Sequence, residues 1–256
     1  MNTEHPQEHI DHITAFLKTT FSKTGFSSAV IGISGGIDSA VSLALTTLAL
    51  GADHVYPILL PYGSLNTQGV LDSMLLIQTL NIPLSHIQRI DVKPTVDTIS
   101  GKEFGMDQLR KGNSIARTRM IYLFDQAKKR NALVVGTENK SEHILGYFTR
   151  FGDAASDIEP IAHLYKTEVY AVATALHIPE VIINKAPSAG LWPEQTDEKE
   201  LGFSYTEADP ILEKLIDEKK SMEEIIALGF EKTLVERISH QVEKNSFKHN
   251  VPYTLL

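Results

Sequence analysis

Six consecutive residues, Ser34-Gly35-Gly36-Ile37-Asp38-Ser39, carry the densest chemistry in this chain. Gly35 and Gly36 have no Cβ, so their backbone can approach a ligand closely and take up positive φ. Ser34 and Ser39 add hydroxyl donors. The apolar run Ala29-Val30-Ile31-Gly32-Ile33 ahead of them reads as a buried strand, and residues 40–50 behind them read as a helix. Free N–H groups at a helix start carry about half a unit of positive charge and favour an anion. A turn of this composition, set between strand and helix, is a phosphate cradle.

It is not one of the common cradles. The G-x-x-x-x-G-K-[ST] pattern needs a lysine, and none stands near this turn; G-x-G-x-x-G would place its third glycine at Ser39 or later. A carboxylate, Asp38, sits inside the anion site instead. Alone it would repel a phosphate, but Mg²⁺ held by one or two carboxylates and by phosphate oxygens makes sense of it. The plainer alternative has Asp38 and Ser39 merely capping the helix. The coincidence of strand, paired glycines, flanking serines and helix favours the cradle.

Such a turn has to be positioned by a sheet. Residues 30–33, 54–60, 86–90 and 132–136 read as strands, with helices at 40–50, 67–80 and 114–130 between them. That alternation predicts an α/β fold, a doubly wound, mostly parallel sheet with helices on both faces. Ligands then bind beyond the carboxyl ends of the strands, where Ser34 to Ser39 falls. Ile10, Ile13, Phe16 and Leu17 recur at helical spacing and predict an N-terminal helix. Residues 184–209, with Pro187, Pro193 and several glycines, read as a long loop of the kind that serves as a lid. Residues 207–248 carry charges at helical spacing and predict a helical C-terminal part.

The 256 residues have a formal net charge of −8 and no long basic block, which argues against a nucleic-acid partner. No apolar stretch reaches membrane-spanning length and the N-terminus is polar, so a cytoplasmic protein without a membrane partner is expected. Cysteine is absent, which excludes disulfides, zinc–thiolate sites and a cysteine-dependent glutaminase in this chain. If the chain amidates a substrate, the nitrogen must arrive as free ammonia or from another polypeptide.

A second chemically dense region spans residues 113–157. A predicted helix carries Ala116-Arg117-Thr118-Arg119-Met120, and the following strand ends in Gly136-Thr137 at the binding edge of the sheet. Glu142 lies just beyond, so a second carboxylate can join Asp38 at one metal. The segment Gly146-Tyr147-Phe148-Thr149-Arg150-Phe151-Gly152-Asp153 crowds aromatics, glycines and charges without periodicity. It suits stacking on a ring and holding a charged ligand. The alternative is that Phe148 and Phe151 pack inward while Arg150 pairs with Asp153 on the surface.

The Ser34–Ser39 motif resembles the loop of the ATP pyrophosphatases, enzymes of the adenine nucleotide α-hydrolase-like superfamily that cleave ATP to AMP and pyrophosphate. The motifs around Asn113, Arg117, Thr137, Asn139, Glu142, Arg150 and Asp157, with Lys166-Thr167, Lys185-Ala186-Pro187-Ser188-Ala189 and the run Asp197 to Tyr205, resemble the NAD synthetase family along most of the chain. The resemblance implies one synthetase domain over residues 1–256 without a glutaminase domain. It implies a two-step ligase reaction: ATP adenylylates the nicotinate carboxylate of deamido-NAD, and ammonia displaces AMP. Asp38, Asp157 and Lys166 would be catalytic. Gly32, Ile33, Ser34, Gly35, Gly36, Ile37, Asp38, Ser39, Thr137, Lys166 and Ser188 would contact ATP, with Asp38 and Glu142 holding Mg²⁺. Arg117, Arg150, Asp157, Phe247 and Lys248 would contact deamido-NAD, at the interface of a homodimer.

This chain departs from the family at three of these positions. Ser188 stands where threonine is usual, Arg150 where lysine is usual, and Phe247 where histidine is usual. The hydroxyl survives at the first, the charge survives in a planar fork at the second, and the third exchanges a polar contact for a ring. Judged without the family, Lys166 would read as a solvated helix lysine. Two rival functions are a GMP synthetase-like amidation of a purine nucleotide and a non-catalytic nucleotide-binding protein. The loop carrying Ser188 is expected to be loose without ligand, with little core to anchor it.

Overall fold

The computed structural model describes residues 1, 3–250 and 252–255. Four strands, β1 (Ala29–Gly32), β2 (Val55–Leu59), β3 (Gln88–Arg89) and β4 (Leu133–Val135), form one sheet in the order β3-β2-β1-β4. Every pairing is parallel. Helices α1 (Pro6–Thr24), α2 (Ile37–Leu50), α3 (Thr67–Thr79), α4 (Lys93–Gly101) and α5 (Gln108–Arg130) precede or link the strands. After β4 come α6 (Lys140–Leu145), α7 (Lys166–Ala175), α8 (Glu180–Ile183), α9 (Asp197–Leu201), α10 (Tyr205–Leu212), α11 (Met222–Ala227) and α12 (Lys232–Asn245).

Side chains on a strand point alternately to opposite faces, and that alternation divides the core. Ile31 packs with residues of α1, α2, α3 and α7, such as Leu17, Leu43, Ile77 and Val169. Its neighbour Val30 packs on the other face with Ile58, Val96 of α4 and Ile115 of α5. Helices therefore cover both faces, as the sequence predicts. A third cluster joins Leu145 of α6 to Ile211, Ile225, Val235 and Ile238 of α10 to α12, the helical C-terminal part.

The chain winds outward from β1 to β2 and β3, then returns to place β4 on the other side of β1. The crevice between the ends of β1 and β4 is the switch point where such sheets hold ligands. Both chemically dense segments leave the sheet there.

Several boundaries differ from expectation. On α1 the buried stripe is Ile10, Ile13, Leu17 and Phe21, while Phe16 is 46% exposed, because the i, i+3, i+4 stripe carries past it. α2 begins at Ile37 rather than residue 40, so Asp38 and Ser39 already lie in its first turn. α5 begins at Gln108, since the Asp107 side chain accepts the Arg110 N–H at 2.7 Å and caps it. The long loop predicted over residues 184–209 is shorter: it ends at Thr196, whose side chain caps α9, and Ser204 caps α10.

Candidate active site

Backbone and hydroxyl groups hold the turn after β1 in shape. Ser34 and Ser39 hydroxyls lie 3.1 Å apart, Ser39 Oγ donates to the Gly36 carbonyl at 3.0 Å, and the Gly36 N–H donates to Ser34 Oγ at 3.2 Å. Gly35 has φ +78°, and a Cβ there would lie 2.3 Å from the Gly69 carbonyl oxygen. Glycine is required because the turn packs backbone to backbone against the first turn of α3. From that turn Asn66 Nδ2 donates to the Ser34 carbonyl at 3.0 Å.

Asp38 does not cap α2; Gly36 occupies that position without a side-chain bond. Its carboxylate reaches across the crevice instead. Oδ1 accepts from Asn139 Nδ2 at 2.8 Å, and Oδ2 accepts from Lys166 Nζ at 2.6 Å. Lys166 Nζ also donates to Glu142 Oε1 at 3.0 Å. Two carboxylates, one from the start of α2 and one from the start of α6, thus meet on a single ammonium.

Local structure explains how they meet. Asn139 caps α6 by accepting the Glu142 N–H at 3.0 Å, so one side chain both places Glu142 and binds Asp38. Lys166 is the first residue of α7, and its backbone N–H donates to Ser141 Oγ at 2.8 Å. Ser141 in turn donates to Asp209 Oδ1 at 2.6 Å, while Asp209 Oδ2 accepts the Thr167 N–H at 2.8 Å. Asp209 is fully buried, and an acidic partner at a helix start is favourable.

The solvated-lysine reading of Lys166 is overturned: the residue is 1% exposed. Burial pulls its ammonium down, but Asp38, Glu142 and Asp197 outweigh burial and raise it above the usual lysine value. Burial pushes the Glu142 carboxyl up to about 8, with Lys166 opposing and Asp38 reinforcing the shift. Burial likewise raises Asp197, against Lys166. The cluster is a charged, partly dry junction at the lip of the phosphate turn.

A second group assembles from α5, the segment after α6, and the short turn Ser246–Lys248 that follows α12. Arg117 Nε donates to the Arg150 carbonyl at 3.3 Å, and the Arg150 guanidinium sits 5.0 Å from the centroid of the Phe247 ring. Lys248 Nζ donates to the Phe148 carbonyl at 3.0 Å and lies 5.2 Å from the Phe148 ring centroid. Four of the five residues predicted for the dinucleotide are therefore brought together. Asp157 is engaged elsewhere: its Oδ2 accepts the Val134 N–H at 2.8 Å, at the edge of β4. The inward packing considered for Phe151 is not found, since it is 59% exposed, and Asp153 accepts the Thr149 N–H rather than pairing with Arg150.

Thr137 stands half-buried at the end of β4, and Ser188 is exposed on the loop between α8 and α9, accepting the Gly190 N–H at 3.1 Å. That loop has an anchor that the sequence does not reveal. Leu191 packs against the α4–α5 side of the core, and Leu191 and Trp192 lie against Gly112 of α5. Asp209 is missed from sequence, and Asn139 and Lys185 stand there only as motif residues, without a role. Asn139 alone left a local signal, the Asn-x-x-Glu capping spacing; the other two act across 42 and 150 positions of chain.

The family model for NAD synthase matches residues 9–252. The NH(3)-dependent NAD(+) synthetase of Fusobacterium nucleatum is 43% identical over 94% of this chain and 93% of its own length. That of Pyrococcus horikoshii is 42% identical over 95% and 92%. Among solved structures, an NH3-dependent NAD synthetase from Campylobacter jejuni, in complex with the nitrate ion, superposes with a TM-score of 0.83 at 31% identity over 98% of this chain and 99% of its own. An NMN synthetase from Francisella tularensis gives a TM-score of 0.85 at 33% identity over 98% of both chains. With the crevice geometry and these likenesses running along nearly the whole sequence, the chain belongs to the NAD synthase family.

Proposed function

We propose that this protein is an ammonia-dependent NAD synthetase that forms a C–N bond on deamido-NAD at the cost of ATP. The observation that carries the reading is the meeting of Asp38 and Glu142 on Lys166 beside the phosphate turn. Simple nucleotide binding has no need of two half-buried carboxylates at the lip of an anion site.

In the first step a nicotinate carboxylate oxygen attacks the α-phosphorus of ATP, and the bond to pyrophosphate breaks. Gly32, Ile33, Ser34, Gly35, Gly36, Ile37 and Ser39 cradle the leaving pyrophosphate, with Thr137 and Ser188 as further hydroxyl contacts. Lys166 meets the charge that develops on the phosphoryl oxygens. Asp38 and Glu142, which already meet on one cation at Lys166, would hold Mg²⁺, and when bound it would neutralise charge on the phosphates. In the second step the nitrogen of ammonia attacks the acyl carbon, AMP leaves, and a proton is lost. Arg117, Arg150, Phe247 and Lys248 hold deamido-NAD, and Asp157, with Oδ2 committed to the Val134 N–H, would offer the dinucleotide only its other oxygen.

Residues 1–256 act in this reading as one synthetase domain supplied with free ammonia, in the cytoplasm. No helix among the described residues is long and apolar enough to cross a membrane. A homodimer with the dinucleotide site at its interface fits the exposed apolar residues Leu71 and Leu75, one turn apart on α3, and Ile121 on α5.

The test is turnover of the purified protein with ATP, Mg²⁺ and ammonium, reading both pyrophosphate and the amide product. Deamido-NAD should be amidated, xanthosine monophosphate should not, and glutamine should not replace ammonium. Nicotinate mononucleotide is run beside them because of the likeness to an NMN synthetase. Preference for the mononucleotide would move the substrate, and efficient use of glutamine by the protein alone would overturn the ammonia assignment.

A further inference from the structure

Lys185 has no part in the reaction described above, yet it reaches into the phosphate turn. It stands just beyond α8, and its Nζ donates to the Gly35 carbonyl at 2.9 Å and to the carboxylate of Asp72 on α3. Asp72 is 3% exposed and also accepts from Gln68 Nε2 at 2.7 Å, so the carboxylate is fixed from two sides. One cation therefore ties together α3, the turn after β1 and the loop that carries Ser188.

The atom it holds matters. A trans peptide is planar, and its C=O points opposite to the N–H of the next residue. With the Gly35 carbonyl drawn toward Lys185, the Gly36 N–H faces the other way, where it meets Ser34 Oγ on the serine side of the cradle. Both residues of this peptide are glycines, so no side chain bars the inverted orientation. Inverted, the peptide would present a carbonyl oxygen to the anion in place of an N–H. A charge-assisted hydrogen bond on the carbonyl opposes that inversion.

We propose that Lys185 is a positioning residue that locks the Gly35–Gly36 peptide with its N–H turned into the anion site, coupling the 184–196 loop to the phosphate turn. The proposal rests on the reading of that turn as the pyrophosphate cradle. Movement of the loop that withdraws Lys185 unlocks the cradle, so the loop carrying Ser188 and the anion site open together.

The experiment is calorimetric titration of the full chain with inorganic pyrophosphate and Mg²⁺, alongside steady-state kinetics, for wild type, Lys185→Met, Lys185→Arg and the double variant Lys185→Met/Asp72→Asn. The double variant removes the carboxylate that Lys185→Met strands, so loss of the fold in the single variant leaves the test intact. Loss of a hydrogen bond from a charged donor predicts pyrophosphate binding weakened about tenfold or more in both Met variants. The KM for ATP should rise while the KM for deamido-NAD holds, and Lys185→Arg should recover most of the loss. Binding in the double variant within about twofold of wild type, or an arginine variant as weak as the methionine one, overturns the lock. A wild-type protein that binds no pyrophosphate overturns the cradle reading itself.

Discussion

Replacing Glu142 by glutamine should stabilise the folded protein at alkaline pH while it destroys turnover. The Glu142 carboxyl has a folded pKa of about 8 against an ordinary 4.5, chiefly because it is buried. A group whose pKa is raised by folding contributes stability in its neutral form; that contribution is full below about pH 4.5 and is lost as pH rises through about 8. Glutamine keeps the neutral form at every pH. A tenfold difference in acidity between the folded and unfolded chain corresponds to about 1.4 kcal/mol, which bounds the gain above pH 8 at about 5 kcal/mol. The side chain keeps 16% of its surface in water, so part of this is screened, and a gain of about 2 kcal/mol is expected. For a chain of this size that is a rise in Tm of about 4–8 °C at about pH 9, closing toward about pH 5. Scanning calorimetry in EDTA, which keeps divalent cations away from the carboxylates, makes the comparison. A Glu142→Gln variant less stable than wild type at about pH 9 would refute the reasoning, since attraction to Lys166 would then outweigh burial.

Three further outcomes are expected. Asp38→Asn keeps an oxygen to accept from Asn139 but loses the charge opposite Lys166, so turnover should fall about 100-fold or more with circular dichroism unchanged; near-normal turnover would remove Asp38 from the reaction. Gly69→Ala would place a Cβ 2.4 Å from the Ser34 carbonyl oxygen, so it should displace the phosphate turn and abolish ATP binding in a titration. Trp192 is the only tryptophan, and it sits on the loop beside Gly112, so its fluorescence should change when ATP and deamido-NAD bind together; a signal indifferent to both ligands would mean the loop does not respond to the site.

Much of this protein is written locally. Each strand and helices α1, α2, α3 and α5 follow from apolar periodicity and turn residues that neighbours in sequence supply, whereas α4 and α7, which also cover the sheet, do not. Ser34-Gly35-Gly36-Ile37-Asp38-Ser39 announces its chemistry without help, because a phosphate cradle is made of consecutive backbone groups. Burial and partnership were not written in that way. Lys166 reads as an ordinary first-turn lysine until α7 is packed against α10, and only then is its ammonium dry and caught between Asp38 and Glu142, 128 and 24 positions away. Asp157 has the composition of a site residue, and only the register at the edge of β4 commits one of its oxygens to the Val134 amide. The loop over 184–196 looks unanchored because its anchors, Asp72 and Gly112, belong to helices far earlier in the chain. Sequence decided which residues can do chemistry, since residue type and local spacing set donors, charges and turns. Tertiary structure decided which of them meet and how much water remains around them, and the charge state of Lys166 and Glu142 depends on both.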